Sequence, residues 1–135
     1  MEREDKKSKG TIYYALSFSI LSLITYFHPE FLPFYGIGCL TMSLGDGLAP
    51  FIGSKFNRYQ IGNTHKTFSG SLTIFLTCLL TSLIFNYFYT IGFSLIAYIV
   101  ISTLATIFEL LGGKYDNLTL PLGTALISFI FGVYL

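Results

Sequence analysis

A chain of 135 residues supports one domain, but hydrophobic residues make up 53% of it and charged residues only 11%, well under the roughly 25% usual in soluble domains. Its net charge of +1 leaves no basic surplus to neutralise phosphates, so nothing here calls for a nucleic-acid partner. The composition is that of a membrane protein.

Nearly half of the charges lie in residues 1–10, a charged leader that carries Arg3, Lys6, Lys7 and Lys9 ahead of an apolar run over 11–27. No small-residue cleavage site follows that run. His28, Pro29 and Glu30 follow instead, which predicts a retained span and not a signal peptide. A second run covers 31–44 and continues through the interrupted piece GDGLAPFIG before charge returns at Lys55. Further runs cover 71–89, 92–111 with Glu109 near its end, and 118–135. Each approaches the roughly 20 residues needed to cross a hydrocarbon core, which predicts about five transmembrane helices. The runs are apolar all round, and a soluble chain of this size has too little interior to hide five such helices. They are also continuous, whereas barrel strands alternate over about ten residues. The expected class is therefore all-α, a polytopic helical bundle over 11–135 behind the leader.

With five spans, the leader, the loop around Lys55, Arg58 and Lys66, and the loop at 112–117 share one side, and every Lys and Arg falls there. The positive-inside rule then predicts that the N-terminus and both polar loops are cytoplasmic. Cys39 and Cys78 lie in apolar runs with no partner at metal-ligand spacing, and read as packing residues.

The chain is organised around the polar stretch 45–71, GDGLAPFIGSKFNRYQIGNTHKTFSGS. The predicted topology gathers Asp46, Lys66, Glu109 and Asp116 at one membrane face. Ionisable groups within or at the end of a span are costly and point to a site; snorkelling to water is the plainer reading for Asp46 and Glu109 taken singly. Carboxylates are hard ligands for magnesium, which holds nucleotides through one or two of them plus phosphate oxygens. Glycines let backbone amides approach phosphates, and a lysine adds a point charge. These ingredients suit phosphoryl transfer, although the stretch fits neither a Walker A motif nor the kinase Gly-rich pattern. His65 reads as a solvated loop residue or a phosphate contact, and Lys55 and Arg58 as topology signals or anionic-lipid contacts. The aromatic side chains read as lipid-facing and interfacial material.

Taken together, GDGLAPFIGSKF, then HKTFSGS, then FELLGGKYDNLTLPLG resemble the CTP-dependent lipid kinases, a family of polytopic membrane proteins that includes dolichol, phytol and diacylglycerol kinases. Phosphatidate cytidylyltransferases are more distant relatives. The resemblance runs from about Lys9 to the C-terminus and implies a membrane-embedded catalytic domain over 11–135. It implies transfer of the terminal phosphate of CTP to the hydroxyl of a membrane lipid such as a polyprenol, a phytol-like alcohol or diacylglycerol. By position, Gly45 and Asp46 match the family's Gly-Asp pair. Lys66, Thr67, Ser69, Gly70 and Ser71 match its Lys-Thr-x-x-Gly-Ser stretch, while Glu109, Asp116 and Asn117 match the acid ending one helix and the Asp-Asn pair opening the last. The implied roles are catalysis by Asp46, Lys66, Glu109 and Asp116, magnesium binding by Asp46 and Asp116, and nucleotide contacts from Gly45, Lys66, Thr67, Ser69, Gly70, Ser71 and Asn117. The pattern departs at Ser69, where relatives carry Glu, and longer relatives have further N-terminal spans. A minimal member, a fragment, or a chain completed by a partner or by homo-oligomerisation all remain open. A cytidylyltransferase, or a small transporter or structural membrane protein, are the alternative classes.

Overall fold

The structure, a computed structural model, describes residues 2–56, 59–62 and 66–135, with the backbone alone for 2–4, 6 and 7. Helix α1 spans Glu2–Phe27, so the charged leader forms its first turns. A 3-10 turn, Pro29–Phe31, leads into α2, Leu32–Leu40, which passes through a π-helical stretch, Thr41–Asp46, into α3, Gly47–Lys55. Then come α4, Phe68–Tyr89, α5, Leu95–Gly112, a 3-10 turn Gly113–Tyr115, and α6, Asp116–Tyr134. The all-helical expectation holds among the described residues, where the only sheet-like feature is an isolated bridge between Gln60 and Thr67.

Among the described residues three stretches are long and apolar enough to cross a membrane, Ser8–Phe27, Phe68–Tyr89 and Leu95–Tyr134. The count of five is thus not confirmed. Leu95–Tyr134 holds two helices, α5 and α6, folded against each other. Gly113, at φ 53, makes the reversal between them, a conformation that side chains bearing a Cβ rarely adopt. The second predicted run does not form one plain span. Its helix is wound out into the π stretch and then meets Pro50 inside α3. That proline has no N–H to give the Asp46 carbonyl, the ordinary partner four residues back. π-helical turns of this kind are frequent at functional sites. Gly45 lets the π stretch lie on α4, since a Cβ there would stand 2.9 Å from Ile74 Cδ1.

The core is a seam of small and branched side chains: Ile37, Ile74, Cys78, Ile101, Ala105, Leu120 and Ala125 are fully buried. Both cysteines are free and buried within it, as expected of packing residues. A buried hydrogen bond of 3.1 Å between Thr41 and Thr81 ties the π stretch to α4, the kind of contact that substitutes for hydrophobic driving force between helices in lipid. Large apolar side chains such as Leu76, Leu80, Ile96 and Ile99 are exposed along the outside, far beyond the patch size of a water-soluble monomer. At one end Asn86 Oδ1 accepts from the Gly92 and Phe93 amides and Ser94 caps α5, which fixes the α4–α5 turn. The site lies at the other end.

Candidate active site

Four polar groups from three separate segments meet where α3, α4, α5 and α6 converge. Lys66 Nζ donates to Glu109 Oε1 at 2.6 Å, to the Glu109 main-chain oxygen at 2.6 Å and to Asp116 Oδ2 at 2.9 Å. The placement follows from helix chemistry. Glu109 carries one of the last four carbonyls of α5, which lack an intrahelical donor, and a cation there also meets the negative end of the helix dipole. Asp116 opens α6, where a carboxylate is favoured, and its Oδ1 accepts from the Asn117 amide at 2.8 Å. Lys66 therefore fastens the end of one helix to the start of the next. Burial works against its charge, but hydrogen bonds and charges from Glu109 and Asp116 outweigh that and hold the ammonium above the ordinary lysine value.

A short loop delivers Lys66. The Ile61 amide donates to the Lys66 carbonyl, and the Phe68 amide to the Tyr59 carbonyl. Thr67 then starts α4, its Oγ1 accepting from the Gly70 amide at 3.1 Å. Loss of such a cap costs about 1 kcal/mol. Thr67→Ala is therefore expected to lower thermal stability in detergent by about that amount, with Thr67→Ser close to the parent. An unchanged unfolding midpoint in Thr67→Ala would show that the cap carries no weight.

Around these groups lies a cavity of about 530 Å³ whose lining includes Asp46, Lys66, Thr67, Gly70, Ser71, Glu109 and Asp116. All four expected catalytic residues and four of the expected nucleotide contacts, Lys66 among both, are thus brought together. Gly45, Ser69 and Asn117 do not line it. Gly45 is buried against Ile74, and Asn117 turns toward α1, its Nδ2 donating to the Gly10 carbonyl at 3.0 Å. The Gly70 and Ser71 amides are both engaged at the start of α4, with Thr67 Oγ1 and the Thr67 carbonyl. Pro50, Gly53, Ser54 and Gln60 also line the cavity. The first two could have been found from the sequence, because they lie four and seven residues after Asp46 on one helix face. Arg58 and His65 lie outside the described residues.

The cavity sets three carboxylates against one ammonium and is formally negative. Asp46 stands outside the Lys66 pairing. Its pKa is raised, first by burial and then by the charges of Asp116 and Glu109, with Lys66 opposing. Two buried polar atoms here, Glu109 Oε2 and Ser71 Oγ, have no hydrogen-bond partner among the described residues, and such atoms call for an explanation. Among the described residues no three His, Cys, Asp or Glu side chains are grouped to hold a metal ion by themselves. The donor set nevertheless fits magnesium, which keeps waters and takes one or two carboxylates together with substrate phosphates.

No protein-family profile and no solved structure matches the chain. It is 39% identical, over its whole length, to a phytol kinase of Synechocystis sp., and covers 59% of that protein. It is 29% identical to phytol kinase 1, chloroplastic, of Arabidopsis thaliana, over 95% of this chain and 45% of the plant protein. The chain thus spans about three fifths of the cyanobacterial relative's length and under half of the plant one's. The matched region includes all three motifs of the candidate site, and over its whole length the chain is similar to a phytol kinase.

Proposed function

We propose that this chain carries the catalytic site of a CTP-dependent kinase that phosphorylates the hydroxyl of a membrane lipid alcohol. The observation that carries this reading is the convergence of Asp46, Glu109, Asp116 and Lys66 on one cavity at the end of an apolar bundle. The relatives' printed names favour an isoprenoid alcohol of the phytol type, and the motifs' resemblance favours CTP as donor. The fall of every Lys and Arg on one side of the runs, in the leader and the loops at 55–66 and 112–117, supports a cytoplasmic site.

In this reaction the lipid oxygen forms a bond to the terminal phosphorus of CTP. The bond from that phosphorus to its bridging oxygen breaks, and CDP leaves with the electron pair. The hydroxyl proton passes to a carboxylate of the site, one of Asp46, Glu109 or Asp116. Asp46 and Asp116 would hold magnesium, which when bound supplies the positive charge that a polyphosphate needs in a negative cavity. Lys66 exchanges one of its three acceptors for a phosphate oxygen. Positioning and charge stabilisation then supply most of the acceleration, as in other phosphoryl transfers.

The test uses full-length protein in liposomes with magnesium and CTP labelled on the terminal phosphate or on the cytosine, offered phytol, a polyprenol, diacylglycerol and phosphatidate. Terminal phosphate on a lipid alcohol with release of CDP is the expected result. Cytosine label on phosphatidate would replace the kinase by a cytidylyltransferase, and absence of any transfer would overturn both.

A further inference from the structure

A second cavity, of about 450 Å³, lies on the α1 side of the π stretch and is lined by Tyr14, Met42, Ser43, Asp46 and Asn117 among others. Among the described residues, Asp46 is the one common to the linings of this cavity and the 530 Å³ cavity. From it two rows of side chains descend at i, i+4, i+8 spacing, each on one helix face. Tyr14, Phe18 and Ser22 stand on α1. Tyr35, Cys39 and Ser43 stand opposite, on α2 and the π stretch. The rows meet in pairs: Tyr14 Oη and Ser43 Oγ are 3.1 Å apart, Phe18 meets the Tyr35 ring edge-on at 6.5 Å, and Ser22 Oγ donates to Tyr35 Oη at 3.4 Å. Tyr14 also stacks on Phe18, with ring centroids 4.4 Å apart. This seam is lightly closed, because α1 leans mainly on α6 and touches α2 little.

Resting on the kinase reading above, we propose that the α1–α2 seam is the binding site for the acceptor's hydrocarbon chain, with the hydroxyl delivered to the Tyr14–Ser43 pair beside Asp46. The chemistry fits at both ends. Ser43 Oγ donates its proton to the Cys39 carbonyl at 2.8 Å, so in the Tyr14–Ser43 contact the phenol is the donor. The Tyr14 oxygen then keeps its lone pairs for an incoming O–H. Aromatic rings and a cysteine below offer an apolar track for an isoprenoid chain, and the donor nucleotide occupies the cavity on the other side of Asp46. An apolar groove of about 460 Å³ between α1 and α6 is the competitor, lined by residues such as Leu21, Leu122 and Phe129. Its lining also includes His28 and Glu30, at the opposite end of α1 from the carboxylates. None of its lining residues borders either cavity that Asp46 lines.

The experiment reconstitutes the full chain in nanodiscs with a C20 isoprenoid alcohol carrying a diazirine in its tail, irradiates without nucleotide, and maps the adducts by mass spectrometry. Adducts on the peptides of Tyr14, Phe18, Tyr35 or Cys39 that excess unlabelled alcohol suppresses are expected. Ser43→Trp, which fills the cavity, is expected to cut that labelling at least fivefold, while Leu126→Trp, which fills the competing groove, keeps the seam labelling. Competable adducts confined to Leu122, Leu126 and Phe129 or to α3 and α4 would overturn the seam, as would no competable adduct at all. Seam labelling by a protein that transfers no phosphate would support the seam and overturn the kinase reading; transfer with adducts elsewhere would do the reverse.

Discussion

Lys66→Ala is expected both to destabilise the bundle and to abolish most phosphate transfer, and the two effects can be separated. The ammonium satisfies a carboxylate only 8% exposed, on Glu109, together with Asp116 and the Glu109 carbonyl. Removing one partner of such a buried pair leaves an uncompensated charge, a loss of several kcal/mol in fully buried cases. Because Lys66 and Asp116 are each 22% exposed, we expect the lower end, about 3 kcal/mol. The contacts of the ammonium thus predict that stability falls along with activity. Adding Glu109→Gln neutralises the orphaned carboxylate, so the double variant is expected to regain much of the thermal stability lost in Lys66→Ala. Transfer per folded molecule should remain down on the order of a hundredfold, the scale for loss of one charge-stabilising donor. A Lys66→Ala protein with the parent's unfolding midpoint and full transfer would remove Lys66 from both roles.

The residues that make up this site were legible because charge is scarce in the chain. An isolated acid or lysine in an apolar run stands out, and the parity of the runs brings Asp46, Lys66, Glu109 and Asp116 to one end. Their pairing was not legible. Nothing in the spacing of Lys66, Glu109 and Asp116 says that all three Lys66 donors are engaged by the end of α5 and the start of α6. The glycines misled in a related way. Gly70 suggested an open amide for phosphate, whereas Thr67, three residues before it, accepts from that amide as a helix cap. The second run looked like a span by composition, yet Gly45, Gly47 and Pro50 put a π turn and a missing donor where a regular helix was expected. Tyr14 and Ser43 left no signal, since an aromatic on an exposed apolar helix is ordinary; only the approach of α1 to the π stretch gives the pair a meaning.

The largest single loss of function is expected from Asp46→Asn. Glu109 and Asp116 are each committed to Lys66, which leaves Asp46 as the carboxylate best able to give both oxygens to a cation or to the reacting groups. Outer partners of a metal site already carry about 10- to 100-fold in affinity or activity, so loss of a direct ligand should cost transfer at least about a hundredfold. The amide keeps the size of the side chain, and Asp46 is only half-buried, so the unfolding midpoint should hardly move. The same carboxyl predicts a pH dependence with a definite sign. Burial, then Asp116 and Glu109, raise its pKa against the opposing charge of Lys66, so it keeps its proton to a higher pH than an ordinary aspartate near about 4. Protons and cations compete for the same oxygens. Manganese binding, read by electron paramagnetic resonance as a stand-in for magnesium, should therefore be full above that raised value. It should weaken as pH falls through it, starting above the ordinary carboxylate range. Asp46→Asn should bind weakly at every pH and flatten the profile, whereas a variant that binds manganese like the parent would move the cation site to other residues.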